Sequence, residues 1–341
     1  MSEPQLPDIG KLAADVVAGD RRALARAITL VESSRADHRP LADALLDRLL
    51  PSTGRSIRLG VSGSPGVGKS TFIESFGLHV IGQGHRVAVL AVDPSSRSGG
   101  GSILGDKTRM ALLAREERAF IRPSPAGDKL GGVARRSREA LLVCEAAGHD
   151  VVIVETVGVG QSETAVADLT DMFLLLLLPG SGDDLQGIKR GIVELADLIL
   201  VNKADGEMAV AAHRTAADYQ HALRLLRPAS PGWAPEVGCC SALEGTGIPE
   251  VWEAVARFRT ALGDSAIAAR RAAQAKIWLK AELADSLMAA LARHPGVAGR
   301  LPALEARVAG GTMTPGAAAR ELLTIFLADR GLPLDGSGSV P

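Results

Sequence analysis

The stretch Leu59–Phe72, LGVSGSPGVGKSTF, decides the fold. An apolar run from Ile57 to Val61 enters a glycine-rich turn. The turn passes into KSTFIESFGLHVIG, whose apolar residues recur at helical spacing. The reading is strand, loop, helix. Gly63, Gly68, Lys69 and Ser70 fill G-x-x-x-x-G-K-[ST] in the strand-to-helix context that the motif requires. Glycines let the loop of Gly63, Ser64, Pro65, Gly66, Val67 and Gly68 wrap a phosphate with no Cβ in the way, every residue but Pro65 offering a backbone N–H. Lys69 supplies positive charge for β- and γ-phosphates, and the Ser70 hydroxyl is a Mg²⁺ ligand. Thr71 follows at the helix start, where the dipole faces an anion. This is a P-loop, and a nucleoside triphosphate is implied.

Which nucleotide is read further along, in ADLILVNKADGE, where an apolar run ends in Asn202, Lys203, Ala204 and Asp205. In this N-K-x-D arrangement the Asp205 carboxylate can accept from guanine N1–H and its exocyclic amine. Asn202 can address the opposite edge, and the Lys203 stem can cover the base. Adenine would set an acceptor against the carboxylate, which is costly in a buried site. GTP is therefore expected over ATP. In CCSALEG, Ser241, Ala242 and Leu243 follow a short apolar strand and suit a second base-contacting loop.

Between these motifs lie candidate switches. The second strand ends in Asp93, followed by a glycine-rich run to Asp106. The two carboxylates can reach Mg²⁺ directly or through water, or else the run is a surface loop with solvated acids. DVVIVETVGVGQSE ends the fourth strand in Glu155, a strand-end acid before glycine in the manner of a Walker-B residue. Its length favours a water-mediated Mg²⁺ contact. Gln161 is read either as a water-positioner or as a polar cap of the next helix. PGSGDDLQGIKRG carries Lys189 and Arg190, within reach of phosphate in a closed state or solvated at a helix start. The candidate catalytic groups are Lys69, Glu155, Gln161 and Lys189; the candidate metal ligands are Ser70, Asp93, Asp106 and Glu155.

The chain has 341 residues, 46% hydrophobic and 23% charged, enough for one large core and an appendage. Its formal net charge of −1 argues against nucleic acid or an anionic membrane as a general partner. MFLLLLL, Met172–Leu178, falls short of the roughly 20 apolar residues of a bilayer span and reads as a central parallel strand. The N-terminal sequence lacks a signal-peptide pattern, and Cys144, Cys239 and Cys240 have no metal-ligand spacing, so a reduced cytoplasmic location is expected.

Strands are expected at 57–62, 86–92, 118–122, 150–155, 172–178, 197–202 and 236–241, most of them separated by helical stretches. That alternation predicts an α/β fold, a mostly parallel sheet with helices on both faces. The expected domains are an N-terminal helical extension over 1–50, a nucleotide-binding domain over 51–262 and a helical arm over 263–335. The arm carries an Ala-rich apolar stripe and a helix starting at Thr314–Pro315 and stopping at Gly331. It packs either on a second copy of the chain or back on its own sheet.

GSPGVGKST, VDPSS, GGSILGDKTRM, ETVGVGQSE, LLPGSGDDLQGIKRGI, NKAD and CSALEGTGI, in this order, closely resemble the MeaB/ArgK family of SIMIBI-class P-loop GTPases over most of the chain. The resemblance implies a GTP-hydrolysing chaperone that associates with adenosylcobalamin-dependent methylmalonyl-CoA mutase, protecting it and gating cofactor loading. It implies a homodimer through the C-terminal arm. The P-loop, Mg²⁺ and base-recognition roles would fall to Lys69, Ser70, Asp93, Asp106, Glu155, Asn202, Lys203 and Asp205, with the Pro179–Gly191 loop as an additional switch. The rival reading of such a chain is an ATP-dependent kinase linked to basic amino-acid transport, which N-K-x-D weakens.

Overall fold

A computed structural model describes residues 7–35, 37–92, 110–123, 130–156, 162–180 and 190–328. The chain divides into two compact units, Met1–Gln274 and Ala275–Pro341. In the first, seven strands form one sheet: β1 Ile57–Gly63, β2 Val87–Val92, β3 Ala119–Arg122, β4 Val151–Thr156, β5 Met172–Leu177, β6 Leu198–Val201 and β7 Glu236–Cys239. Their order is β3-β2-β4-β1-β5-β6-β7, and every pairing is parallel. All seven expected strands are present, within two residues of their expected ends.

Parallel strands need crossovers, and helices supply them. The helices among the described residues are α1 Ile9–Val17, α2 Arg21–Val31, α3 Arg39–Leu49, α4 Lys69–Gly82, α5 Leu130–Ala146, α6 Ser162–Ala167, α7 Arg190–Val193, α8 Ala209–Leu223, α9 Ile248–Arg293, which is broken by a kink at Gly263, α10 Pro295–Ala309 and α11 Pro315–Ala328. Because strand side chains alternate in direction, Leu59, Val61, Ile153, Leu174 and Leu200 fall on one face. There they form a core with Phe72 and Phe76 of α4 and with Val255 and Phe258 of α9. On the opposite face Val152, Phe173 and Ile199 are equally buried, covered by α5, α6 and α8. Both faces being dry explains the unbroken apolar reading of β5.

The first three helices are amphipathic and pack against one another and on α5. Asp8 and Asp20 cap α1 and α2 by accepting from the N–H groups of Lys11 and Ala23. The start of the sheet is held by buried ion pairs. Arg58 donates to both Glu145 oxygens, at 2.8 and 2.9 Å. Arg271, on α9, grips Asp171 at the start of β5 through two donors, at 2.6 and 2.8 Å, and also donates to the carbonyls of Gly54 and Ser56. Its neighbour Arg270 lies 3.9 Å from Asp197, which precedes β6. Gln274 donates to the Thr170 carbonyl at 2.8 Å. These contacts occupy the edge where the strands begin.

In the second unit α10 packs on α11, burying Val297, Leu304, Ala318 and Phe326. His294 meets Phe326 edge to face with centroids 5.4 Å apart, and Arg300 pairs with Glu321 at 2.8 Å. The helix from Pro315 starts where the sequence indicates; Gly331 lies outside the described residues. Among the described residues, no helix is long and apolar enough to cross a membrane.

Candidate functional site

The site is built at the opposite edge of the sheet, where β1, β4, β6 and β7 end. Parallel pairing aligns those ends: Gly63 stands beside Leu176, Glu155 beside Val61 on one side and Ala91 on the other, and Cys239 beside Val201. A crevice at the carboxyl ends of parallel strands is where open α/β sheets bind ligands.

The phosphate loop spans the gap from β1 to α4. Gly68 has φ +92°, and a Cβ there would lie 2.8 Å from the Asn202 amide nitrogen. At Gly63 a Cβ would come within 2.6 Å of the Leu176 carbonyl. Both positions therefore demand glycine, the first by conformation as well as by space. The result is a backbone cradle open to an anion at the α4 N-terminus. Below it, the Thr156 hydroxyl donates to that of Ser62 at 3.0 Å, tying β4 to β1.

Lys69 points back into this cradle, donating to the carbonyls of Gly63 at 2.7 Å and Ser64 at 3.4 Å. Burial pushes its amine downward, while the charges of Glu155 and Glu163 act to hold the proton. Glu163, on α6, is buried and was not singled out from sequence. Its acidic character in a helix opening, three residues after a glycine-rich run, was the available signal. Ser70 donates to Glu155 Oε1 at 3.4 Å, and Glu155 is itself buried. A hydroxyl and a carboxylate adjacent at the rim of a phosphate cradle form a hard oxygen donor pair that suits Mg²⁺. Asp93, Asp106, Gln161 and Lys189 lie outside the described residues, as does most of the Pro179–Gly191 loop.

On the base side, β6 ends at Val201 and Asn202 turns inward. Its amide donates to the Val67 carbonyl at 2.8 Å and its oxygen accepts from the Ala242 N–H at 3.0 Å. Asn202 thus joins the phosphate loop, the N-K-x-D loop and the loop after β7. Sequence lets it address a base edge; in the structure one of its two amide donors goes to the protein. Lys203 has φ +62°, the sole non-glycine with positive φ among the described residues. Such strain concentrates at functional sites. The turn it makes carries Asp205 to Ser241, whose hydroxyl donates to Asp205 Oδ2 while accepting from the Glu244 N–H at 3.1 Å. Ser241 and Ala242 are buried, whereas Leu243 is 82% exposed. A carboxylate oriented by a buried hydroxyl beside an open loop can accept from paired N–H donors of a base.

A family model described as methylmalonyl-CoA mutase-associated GTPase MeaB matches residues 24–295. The chain is 53% identical over 275 residues to the GTPase ArgK of Escherichia coli, covering 79% of this chain and 82% of that protein. It is 47% identical over 337 residues to the mitochondrial methylmalonic aciduria type A homolog of Mus musculus, covering 96% and 81%. A crystal structure described as an LAO/AO transport system kinase superposes with a TM-score of 0.74 at 40% identity, covering 95% of this chain and 99% of that one. With its phosphate cradle, its N-K-x-D loop and this likeness over most of its length, the chain belongs to the MeaB family of P-loop GTPases.

Proposed function

We propose that this GTPase is a Mg²⁺-dependent switch that associates with an adenosylcobalamin-dependent methylmalonyl-CoA mutase, protecting it and gating cofactor loading. The observation that carries the GTP part is the join through Asn202, which ties the phosphate loop to the base-side loop. The mutase part rests on the names of the family and of the mouse relative.

In this reading the P-loop N–H groups and Lys69 hold the β- and γ-phosphates, and Ser70, Glu155, Asp93 and Asp106 hold Mg²⁺. When bound, the ion neutralises charge on the phosphate oxygens. Water attacks the γ-phosphorus in line as the bond to the bridging oxygen breaks, and Lys69 stabilises the charge that gathers there. Gln161 and Lys189 are the candidates to orient that water and complete the charge in a closed state. Asp205 selects guanine, with the Lys203 stem, Ser241, Ala242 and Leu243 around the base. This selection disfavours the ATP-dependent kinase reading that the solved relative's description suggests.

We further read the second unit as a dimerisation arm. Leu279, Leu283 and Leu287 recur every four residues on one helical face, and all three are exposed. A stripe of that kind suits a second copy of the chain. The working location is the cytoplasm.

The test is GTP turnover by the purified chain, with ATP in parallel, alone and with methylmalonyl-CoA mutase. Acceleration specific to GTP and to the mutase is expected. Turnover of GTP without acceleration would leave the GTPase and remove the partner; ATP preference would restore the kinase.

A further inference from the structure

A second basic pocket, away from the P-loop, lies where α2, the N-terminus of α3, the end of β3 and α5 meet. Arg26, Arg122 and Arg136 line it together with His38 and Glu32, and Leu30 contributes an apolar patch. The cavity measures about 480 Å³, within the range of small-molecule sites. Three guanidinium groups thus face one carboxylate. That carboxylate is already engaged: Arg122 donates to Glu32 Oε2 from Nε, at 3.0 Å, and from Nη2.

The remaining donors are the informative ones. Arg136 Nε and His38 Nδ1 are buried with no hydrogen-bond partner among the described residues, and both residues line this pocket. Buried polar atoms are nearly always partnered, so two orphans converging on one cavity mark a missing acceptor. His38 stands at the N-cap of α3 without making a capping bond, so its ring is not committed to the helix. Guanidinium forks arriving from separate elements match an acceptor with several oxygens spread over one centre.

We propose that this pocket binds the phosphoryl group of a small phosphate monoester. Arg26, Arg122, Arg136 and His38 donate to the phosphoryl oxygens, and the space beside Leu30 takes the organic part. Arg122 closes β3, the outermost strand, at the carboxyl edge that also carries the nucleotide site, with β2 between β3 and β4. The pocket is therefore separate from the P-loop, on the same edge of the sheet.

The full chain, saturated with GDP and Mg²⁺ so that the P-loop is filled, is titrated by calorimetry with glycerol 2-phosphate and with inorganic phosphate. Saturable binding of one equivalent is expected. It should weaken about tenfold in Arg136→Gln and severalfold in Arg26→Gln, with GTP turnover unchanged in both. The exposed Arg26 position keeps the test valid should Arg136→Gln fail to fold. Tighter binding of the ester than of inorganic phosphate supports an organic ligand, and equal binding supports the free ion at the same site. Absence of saturable binding, or binding indifferent to Arg26→Gln and to any folded Arg136 variant, overturns the proposal.

Discussion

Asn202 donates one of its two amide hydrogens to the Val67 carbonyl at 2.8 Å, so the residue expected to address a base edge also ties its loop to the phosphate loop. Asn202→Ala would leave the Val67 carbonyl and the Ala242 N–H buried and unpaired, at about 1–3 kcal/mol each. Affinity for GTP and GDP should fall by about tenfold or more, with a lower melting temperature. Because the loss acts through the loop, any weak ATP binding should fall in parallel. A fall confined to guanine nucleotides would show direct base reading. Equilibrium titration with fluorescent nucleotides measures all three.

Asp205→Asn replaces a carboxylate with two acceptor oxygens by a group that presents a donor to guanine's donors. Two charge-assisted hydrogen bonds are lost, each about 1.5–3 kcal/mol, so GTP affinity should fall by about 10² or more. Binding of xanthosine triphosphate, which carries an oxygen where guanine has its amine, should rise relative to GTP. Competition titrations decide it; unchanged GTP preference would remove Asp205 from base selection.

Glu155→Gln keeps the bond to Ser70 possible but removes the negative charge at the cradle rim. The Mg²⁺ concentration for half-maximal GTP turnover should rise by about 10- to 100-fold, with GDP binding in the absence of metal little altered. A Mg²⁺ titration of turnover, paired with metal-free GDP binding, separates loss of the ion from collapse of the loop.

Two truncations differ sharply. Ending the chain after Gln274 removes only the second unit, and the product should fold, bind nucleotide and sediment as a monomer. Ending it after Leu262 also removes Arg270 and Arg271, leaving Asp171 and Asp197 buried without those partners. Breaking a buried pair costs about 3–5 kcal/mol, so this product should be unstable or insoluble. A dimer after the first cut would refute the arm.

His149 gives the acid limb of stability a defined origin. Burial against Phe120 and α5 lowers its ring to about 4 from an ordinary 6.5, although it bonds the Cys144 carbonyl. Between those values the unfolded chain takes up a proton that the folded chain refuses. This contribution to stability is therefore whole above pH 6.5, falls as pH drops towards 4, and amounts to a few kcal/mol at most. His149→Gln should flatten the melting temperature over that window while lowering it at pH 7.

The strands were legible because both faces of this sheet are dry and each strand is a bounded apolar run. The P-loop was legible because its glycines are forced by close approach, at Gly63 and Gly68 alike. The inward role of Asn202 was not, since N-K-x-D has the same spacing whether its first side chain meets a base or Val67. Arg270 and Arg271 read as part of an Ala-rich helix with an apolar stripe. The clue lay elsewhere, in Asp171 and Asp197, acids placed directly before apolar strands with no local partner. Glu163 escaped notice for a similar reason: its relation to Lys69 exists only once β1 and β4 lie side by side.

Arg271 reaches back 217 residues to the Gly54 carbonyl. At synthesis rates of roughly 5–20 residues per second, that bond waits about 10–40 s after Gly54 is made. Throughout this interval the growing chain holds most of its apolar strands without the clamp on the edge where β1 and β5 begin. The nascent protein thus passes through a long aggregation-prone stage, and its yield in the cell should depend on chaperones that shield that edge until α9 emerges from the ribosome.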